Sequence, residues 1–173
     1  LKQNDLTSIP NTISNLSGIT ALDISSNEIG SIPIEIGDMI NLVSLNLSGN
    51  NITGEIPTEL YNLVNLESLT LSGNNLIGEV SPAIINLTNL NTLHLGSNQL
   101  TGFSSEIGNL TNLEALRLDS NNLTGTIPEE LGDLTNLTSL LLENNNLSGT
   151  IPIELGQLIN LNQLYLYNNN LSG

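Results

Sequence analysis

Apolar and polar residues alternate along the chain in a short pattern, Leu-x-Leu-x-x-Asn, that recurs from one end to the other. The asparagines of the full copies are Asn27, Asn50, Asn74, Asn98, Asn121, Asn145 and Asn169. Successive copies are 23 or 24 residues apart, and a partial copy ends at Asn4. A fixed period of this length is typical of repeat proteins. The sequence therefore predicts one array over residues 1–173, of about seven to eight repeats, incomplete at both ends.

The leucines of each copy predict a short strand with one buried face. Leu116 and Leu118, for example, flank Arg117, which is the alternation of a half-buried strand. Strands this short can bury their leucines only against the same leucines of neighbouring repeats, so the repeats must stack into a solenoid. Between strands, glycines such as Gly125 are expected at a backbone bend, and prolines such as Pro128 exclude helix.

The recurring asparagine is interpreted as a structural residue. Its amide stands at the end of each predicted strand, where backbone groups of the turns above and below need hydrogen-bond partners. A ligand site would not need the same residue in every repeat. We therefore expect a ladder of asparagine side chains that bond the backbone of adjacent turns on both sides.

Composition limits the partners and the chemistry. Two basic residues stand against 17 acidic ones, a formal charge of −15, so the chain lacks the clustered lysines and arginines that nucleic acid or an anionic membrane requires. Without cysteine, neither a disulfide nor a thiolate metal site can form. Aromatic residues make up 2% of the sequence, so the core must be built largely from leucine and isoleucine.

The repeats carry a family resemblance. The segments NNLTGTIP at 121–128 and NNLSGTIP at 145–152 resemble the plant-type subclass of leucine-rich-repeat proteins, and the resemblance covers the whole chain. It implies an α/β-type repeat solenoid, mostly β and loop, that is curved and right-handed, with a parallel sheet on the concave face and short 3₁₀ turns on the convex face. It also implies an extracellular or cell-surface binder of a protein or peptide, like receptor ectodomains and inhibitors of cell-wall-degrading enzymes. The family's cap segments with paired cysteines are missing.

Two positions of each repeat are left free by the pattern. They are the residue between the paired leucines and the residue after the second leucine, and both are predicted to point out of the concave sheet. The sole histidine, the sole arginine and two of the three tyrosines occupy these positions in the last four repeats. We predict a ligand-binding patch that consists of His94, Arg117, Asp119, Leu141, Glu143, Tyr165 and Tyr167.

The residue types of this patch suit recognition, because arginine and tyrosine are enriched in binding hot spots. We expect Arg117 and His94 to contact acidic or polar groups of the partner, and Tyr165, Tyr167 and Leu141 to provide the apolar contact. The alternative is that free surface positions drift at random and that Arg117 merely pairs with Asp119 or Glu114.

The sequence does not favour catalysis, a cofactor or a metal. One histidine, no cysteine and scattered carboxylates supply no nucleophile with a base and an orienting group, and no phosphate-binding loop is present. An acidic column on the convex side could in principle hold divalent cations. It is interpreted as an ordinary solvated face and consists of Glu35, Glu59, Glu106, Glu130 and Glu154.

Asparagine sequons are frequent because the repeat consensus itself creates them. If the protein passes through a eukaryotic secretory route, Asn15, Asn86 and Asn109 on the convex turns are the expected glycosylation sites. Asn46 is a further sequon, on the concave sheet, where a glycan would direct a partner toward the C-terminal half.

The sequence thus predicts a non-enzymatic recognition module that binds a protein or peptide on the concave face. An alternative is a structural or adhesive scaffold segment of a longer extracellular protein, which would self-associate through the solenoid ends. Ice binding through repeated serine, threonine and asparagine ladders is a further alternative, although the irregular mixture at His94, Arg117 and Tyr165 argues against a regular flat surface there.

Overall fold

The computed structural model describes residues 1–173 and contains short strands, 3₁₀ helices and turns, with no α-helix. The strands are β1 (Ala21–Asp23), β2 (Ser44–Asn46), β3 (Thr53–Gly54), β4 (Ser68–Thr70), β5 (Asn75–Leu76), β6 (Glu79–Val80), β7 (Thr92–His94), β8 (Gly102–Phe103), β9 (Ala115–Arg117), β10 (Ser139–Leu141), β11 (Ser148–Gly149), β12 (Gln163–Tyr165) and β13 (Asn170–Leu171). The 3₁₀ helices are η1 (Asn11–Asn15), η2 (Ile34–Asp38), η3 (Thr58–Asn62), η4 (Pro82–Asn86), η5 (Ser105–Asn109), η6 (Glu129–Asp133) and η7 (Ile153–Gln157). None of these helices is long and apolar enough to cross a membrane.

The seven three-residue strands form one parallel sheet in the order β1-β2-β4-β7-β9-β10-β12. Each strand pairs in register with the next, so that equivalent residues of successive repeats stand side by side; Leu93, for example, pairs with Leu116. The 3₁₀ helices lie between the strands on the other side, and the two-residue strands form small pairs along the array. This arrangement confirms the predicted curved leucine-rich-repeat solenoid with a parallel sheet on its concave face.

The core is a single aliphatic cluster that runs through the stack. It contains 42 buried residues from Ile9 to Leu158, and Tyr61 is its only aromatic member. Leu116 and Leu118 are fully buried on either side of the exposed Arg117, as the alternation predicts. Because each strand buries only a few leucines, the stability of one repeat depends on contact with its neighbours.

The ladder asparagines tie each turn to the preceding one. The Asn98 side chain accepts a hydrogen bond from the Leu76 N–H at 3.1 Å and donates to the Leu71 and Leu95 carbonyls at 3.1 and 3.0 Å. The same three bonds recur at Asn50, Asn74, Asn121, Asn145 and Asn169. The bonds reach the residue's own turn and the preceding turn, whereas the sequence led us to expect bonds to both neighbouring turns.

The residue before each ladder asparagine adopts a left-handed backbone. Ser97 and Ser120 have φ of 57° and 54°, and the equivalent Gly49 and Gly73 have φ of 64° and 67°. Left-handed residues are usually glycine, asparagine or another small polar type, because a Cβ crowds the backbone there. This requirement explains why glycine, serine or asparagine precedes every ladder asparagine, a pattern that the sequence reasoning did not identify.

A second asparagine ladder lies on the outside of the stack. The Asn112 and Asn136 amides donate to the Thr88 and Thr111 carbonyls of the preceding repeats, both at 2.8 Å. Equivalent bonds are made by Asn41, Asn65, Asn89 and Asn160. The convex turns are therefore held together by side-chain hydrogen bonds as well as by packing.

The third tyrosine of the chain belongs to the core. Tyr61 occupies a position in η3 where η6 has Gly132, and a Cβ on Gly132 would lie 2.6 Å from the Glu154 carbonyl oxygen of the next repeat. Tyr61 is only 1% exposed, and its hydroxyl makes no hydrogen bond. Burial raises the pKa of Tyr61 to about 12.

We expect Asn121→Ala to destabilise the chain far more than Asn122→Ala. Asn121 is buried and bonds Leu100, Leu95 and Leu118, whereas its neighbour Asn122 is exposed. Each lost hydrogen bond removes about 1 kcal/mol, so the free energy of unfolding falls by about 2–4 kcal/mol. Urea denaturation of unglycosylated protein, followed by circular dichroism, measures this difference. Equal effects of the two substitutions would contradict a structural role for the ladder.

Candidate functional site

The sheet brings four of the predicted patch residues into one row across the concave face. His94 of β7 pairs with Arg117 of β9, Arg117 pairs with Leu141 of β10, and Leu141 pairs with Tyr165 of β12. Parallel strands lie about 4.8 Å apart, so the row spans roughly 14 Å. The alternation of buried leucines fixes these side chains on the opposite face from the core.

A second row lies beside the first and consists of Asp119, Glu143 and Tyr167. The Glu143 carbonyl accepts a hydrogen bond from the Ser120 N–H at 2.9 Å, and the Tyr167 carbonyl accepts one from the Asn144 N–H at 3.0 Å, so the parallel ladder continues through this row. The Tyr165 and Tyr167 rings are 6.1 Å apart between centroids, with an angle of 46° between their planes. All seven residues therefore form one continuous patch, which we call the concave patch.

Glu143 is the most unusual residue of the concave patch. It is only 6% exposed, and its Oε2 atom is buried with no hydrogen-bond partner. Burial raises the pKa of the Glu143 carboxyl above its usual value; the Asp119 charge also raises it, while the backbone N–H of Glu143 and the Arg117 charge lower it. A buried carboxyl group with one oxygen unpaired destabilises the folded chain when it is ionised.

His94 is half-buried, and its Nε2 atom also has no hydrogen-bond partner. Burial lowers the pKa of His94 below its usual value, the neighbouring Arg117 charge lowers it further, and Asp119 partly opposes both. The imidazole is therefore neutral at pH 7, and it offers a hydrogen bond to a partner rather than a charge.

Polar side chains at the same positions of the first repeats satisfy one another. Asp23 Oδ1 accepts hydrogen bonds from the Ser25 N–H at 2.9 Å and the Ser25 hydroxyl at 2.6 Å. Asn46 accepts the same pair of bonds from Ser48, at 3.0 and 2.7 Å. The bond from the Ser25 hydroxyl also lowers the pKa of Asp23. The concave positions of these two repeats are thus hydrogen-bonded to each other, whereas the concave patch leaves buried polar atoms unpaired.

Gly96 shapes the concave patch in a way that the sequence reasoning missed. The equivalent position is Ser25, Ser48 and Ser72 in the preceding repeats. A Cβ on Gly96 would lie 2.5 Å from Oδ1 of Asp119, so the Asp119 carboxylate leans over this glycine toward the preceding strand. The sequence signal for this feature was the replacement of serine by glycine at position 96, together with the acidic Asp119 at the equivalent position of the next repeat.

Leu141 differs from the two tyrosines of the concave patch, because it is only 9% exposed and offers little contact surface. Tyr165 and Tyr167 are 41% and 57% exposed. The apolar surface of the concave patch is therefore mainly aromatic.

The convex side carries the acidic column and the expected glycosylation sites. Each glutamate of the column lies in the first turn of a 3₁₀ helix, and no group of three or more metal-ligating side chains is present in the chain. Asn15, Asn86 and Asn109 are exposed at the last residues of η1, η4 and η5. Asn46 is half-buried, with its amide oxygen bonded to Ser48. An open groove of about 580 Å³ lies between the outer segments 126–130 and 150–154.

Comparison with known structures shows that the chain is similar to parts of plant receptor structures. It superposes on a plant peptide hormone receptor, RGFR1 in complex with RGF2, with a TM-score of 0.93 and 39% identity over 96% of this chain and 27% of that chain. It superposes on the Arabidopsis receptor kinase HAESA, in complex with the peptide hormone IDA and the co-receptor SERK1, with a TM-score of 0.95 and 38% identity over 100% of this chain and 29% of that chain. The chain thus spans less than a third of the length of these receptors.

A plant ice-binding protein is also similar, with a TM-score of 0.74 and 28% identity over 100% of this chain and 72% of that chain. Comparison with curated protein sequences found no significant match. A family model for a leucine-rich repeat region matches residues 35–172, which is most of the chain. This match and the close superposition on plant receptors agree with the repeat pattern and the observed solenoid. The chain therefore belongs to the leucine-rich-repeat family and is a protein of its plant type.

Proposed function

We propose that this chain is a non-enzymatic recognition module that binds a protein or peptide on the concave patch, as part of a receptor-like protein outside the cell or at its surface. Similar structures are complexes of plant receptors with peptide hormones, which supports binding of a peptide. Similar structures include ectodomains of plant receptor kinases, which supports the extracellular location.

One observation carries the proposal. The concave positions of two N-terminal repeats pair with each other, as Asp23 does with Ser25, whereas His94 Nε2 and Glu143 Oε2 are buried and unpaired. Buried polar atoms nearly always have a partner, and an unpaired one calls for an explanation. A ligand that supplies the missing hydrogen bonds explains why, on the concave face, these atoms lie in the half that also holds the arginine and the tyrosine pair, whereas the unpaired Tyr61 hydroxyl belongs to the core.

The residue types assign a role to each part of the concave patch. Arg117 is exposed and binds an acidic or polar group of the ligand. Tyr165 and Tyr167 provide rigid aromatic surface with a polar end. His94, which is neutral, accepts or donates one hydrogen bond. None of these groups forms a nucleophile with an oriented base, so the arrangement serves binding and not catalysis.

Ice binding is a second candidate, which the similarity to a plant ice-binding protein favours. A side face of the solenoid supports it, because exposed amides and hydroxyls recur there at strand spacing. The hydroxyls of Thr101, Thr124 and Ser148 donate to backbone carbonyls of the preceding repeat at 3.1 to 3.3 Å, and so hold one orientation. Ile77 and Gly30 interrupt this column, and this irregularity argues for the recognition function instead.

We expect Arg117→Ala and Tyr165→Ala each to weaken binding of a peptide partner about tenfold or more, the usual effect of removing a hot-spot side chain. The partner is a peptide selected on the wild-type chain from a random display library, and calorimetry measures its affinity. Thr70→Ala serves as the control, because Thr70 lies on the same sheet outside the concave patch. Selected peptides that bind all three variants as tightly as the wild type would remove the concave patch from consideration.

Glu143→Gln is expected to stabilise the chain at neutral pH. The folded-state pKa of Glu143 lies above its unfolded value, so the folded state holds the proton more tightly and loses stability as pH rises through the raised pKa. Glutamine mimics the protonated form and removes a cost of about 1 kcal/mol, or about 2–4 °C in Tm.

Thermal unfolding at several pH values measures this effect. The gain should disappear below pH 4.5, where the wild-type carboxyl is protonated in both states. Glu114→Gln, which removes an exposed charge just before the neighbouring strand β9, controls for the general repulsion within an acidic chain. An equal gain in both variants would show that Glu143 carries no specific cost.

If the recognition function is correct, we expect no thermal hysteresis from the wild-type chain. The freezing point of a solution of the chain, measured during ice growth under a microscope, tests this directly. Hysteresis that Thr124→Asp abolishes and Arg117→Ala preserves would favour ice binding by the side face.

A further inference from the structure

The second row of the concave patch places two carboxylates next to two aromatic rings. Asp119 and Glu143 occupy the same position on adjacent parallel strands, and Tyr167 occupies it on the next strand. The Tyr165 ring lies 6.1 Å from the Tyr167 ring and is exposed. Glu143 is therefore bordered by a like charge on one side and by aromatic surface on the other.

The charges of the concave patch do not balance. Asp119 and Glu143 contribute two negative charges when ionised, Arg117 contributes one positive charge, and His94 is neutral, which leaves a net charge of −1. Arg117 is one strand away from Glu143, and the Oε2 atom of Glu143 has no hydrogen-bond partner. The rest of the chain supplies one other basic residue, Lys2, at the far end of the sequence.

We propose that Asp119, Glu143, Tyr165 and Tyr167 form a subsite that accepts a basic side chain, lysine or arginine, of the bound peptide. This inference rests on the recognition function proposed above and specifies the chemistry of its ligand. The four residues are called the cation subsite below.

A basic side chain fits the cation subsite in three ways. Its N–H groups donate to the carboxylates and give Glu143 Oε2 the partner that it lacks. Its positive charge neutralises the net charge of the concave patch, and the charge of −15 on the whole chain attracts it from a distance. Its aliphatic stem packs on the exposed tyrosine rings, where the cation also gains from the ring faces.

A metal ion fits this site less well. Calcium takes six to eight oxygen ligands, whereas only two carboxylates stand here and the adjoining surface is aromatic. No group of three or more metal-ligating side chains occurs in the chain. A lysine or arginine needs only the two carboxylates and benefits from the rings.

Because Glu143 is buried, a bound cation can reach its carboxylate only if exposed side chains beside it move. Glu143 is 6% exposed, whereas the neighbouring Tyr165 and Tyr167 are 41% and 57% exposed.

Burial also raises the pKa of the Glu143 carboxyl, so protonation as the pH falls removes the charge that the cation requires. Affinity for a basic side chain is therefore expected to decrease on acidification.

The experiment titrates the ¹⁵N-labelled 18.4 kDa chain with Nα-acetyl-lysine methylamide and Nα-acetyl-arginine methylamide, followed by NMR. We expect saturable shifts of amides near residues 119, 143, 165 and 167. The uncharged Nα-acetyl-norleucine methylamide should cause none. Glu143→Gln should weaken binding about tenfold, whereas Glu114→Gln should change it less than twofold.

Gly96→Ser tests the position of Asp119 without altering any charge. Serine is the residue at this position in three preceding repeats, so the fold should tolerate it, but its side chain displaces the Asp119 carboxylate. We expect the affinity for the capped lysine to change in this variant, because the Asp119 carboxylate moves relative to Glu143, with an otherwise unchanged amide spectrum. An unchanged affinity in both Gly96→Ser and Glu143→Gln would overturn the proposal.

Two further outcomes would also overturn it. The first is equal binding of the norleucine compound. The second is binding of a free α-amine, leucinamide, without binding of the capped lysine, which would assign the subsite to a peptide amino terminus. This titration and the test of the recognition function can fail independently. Selected peptides could depend on Arg117 and Tyr165 while the capped basic compounds fail to bind at Glu143.

Discussion

The structure depends on the pairing of backbone groups at the end of each short strand. A three-residue strand cannot close its own turn, so the exposed N–H and C=O groups at its end must be bonded by something that recurs in every repeat. The ladder asparagines meet this need with one accepted and two donated hydrogen bonds, as Asn98 shows. Because these bonds connect one turn to the preceding one, they set the spacing at which the leucines of successive repeats meet and pack.

This constraint divides each repeat into positions that the fold requires and positions that it leaves free. The asparagine, the buried leucines and the left-handed residue before the asparagine are needed in every turn. The two outward positions of each strand are not, and they differ from repeat to repeat. In β1 and β2 those positions hold Asp23 with Ser25 and Asn46 with Ser48, which bond each other. In β7, β9, β10 and β12 the outward positions hold side chains that do not bond each other.

The sequence was sufficient to predict the solenoid, the strand register and the row of His94, Arg117, Leu141 and Tyr165, because all of these follow from counting positions within a repeat. It was insufficient for properties that depend on packing between neighbouring side chains. The burial of Glu143 and the neutral state of His94 arise from the size and charge of residues one strand away. The Asp119 carboxylate can lie over residue 96 only because that residue is glycine and has no side chain. The bonds of the asparagine ladder to the preceding turn depend on the direction in which each amide points.

The position of Glu143 shows how a repeat protein can hold an unfavourable group without losing its fold. The carboxyl stands outside the leucine core, on the free face of the sheet, and its backbone keeps the ladder bonds: its carbonyl accepts from Ser120 N–H and from the Asn145 amide. The cost of burying the charge is therefore local, and the stacked repeats on both sides supply the stability that offsets it. A free position next to such a rigid stack can hold a strained or unpaired group in a fixed geometry, which is the condition for selective recognition of a ligand.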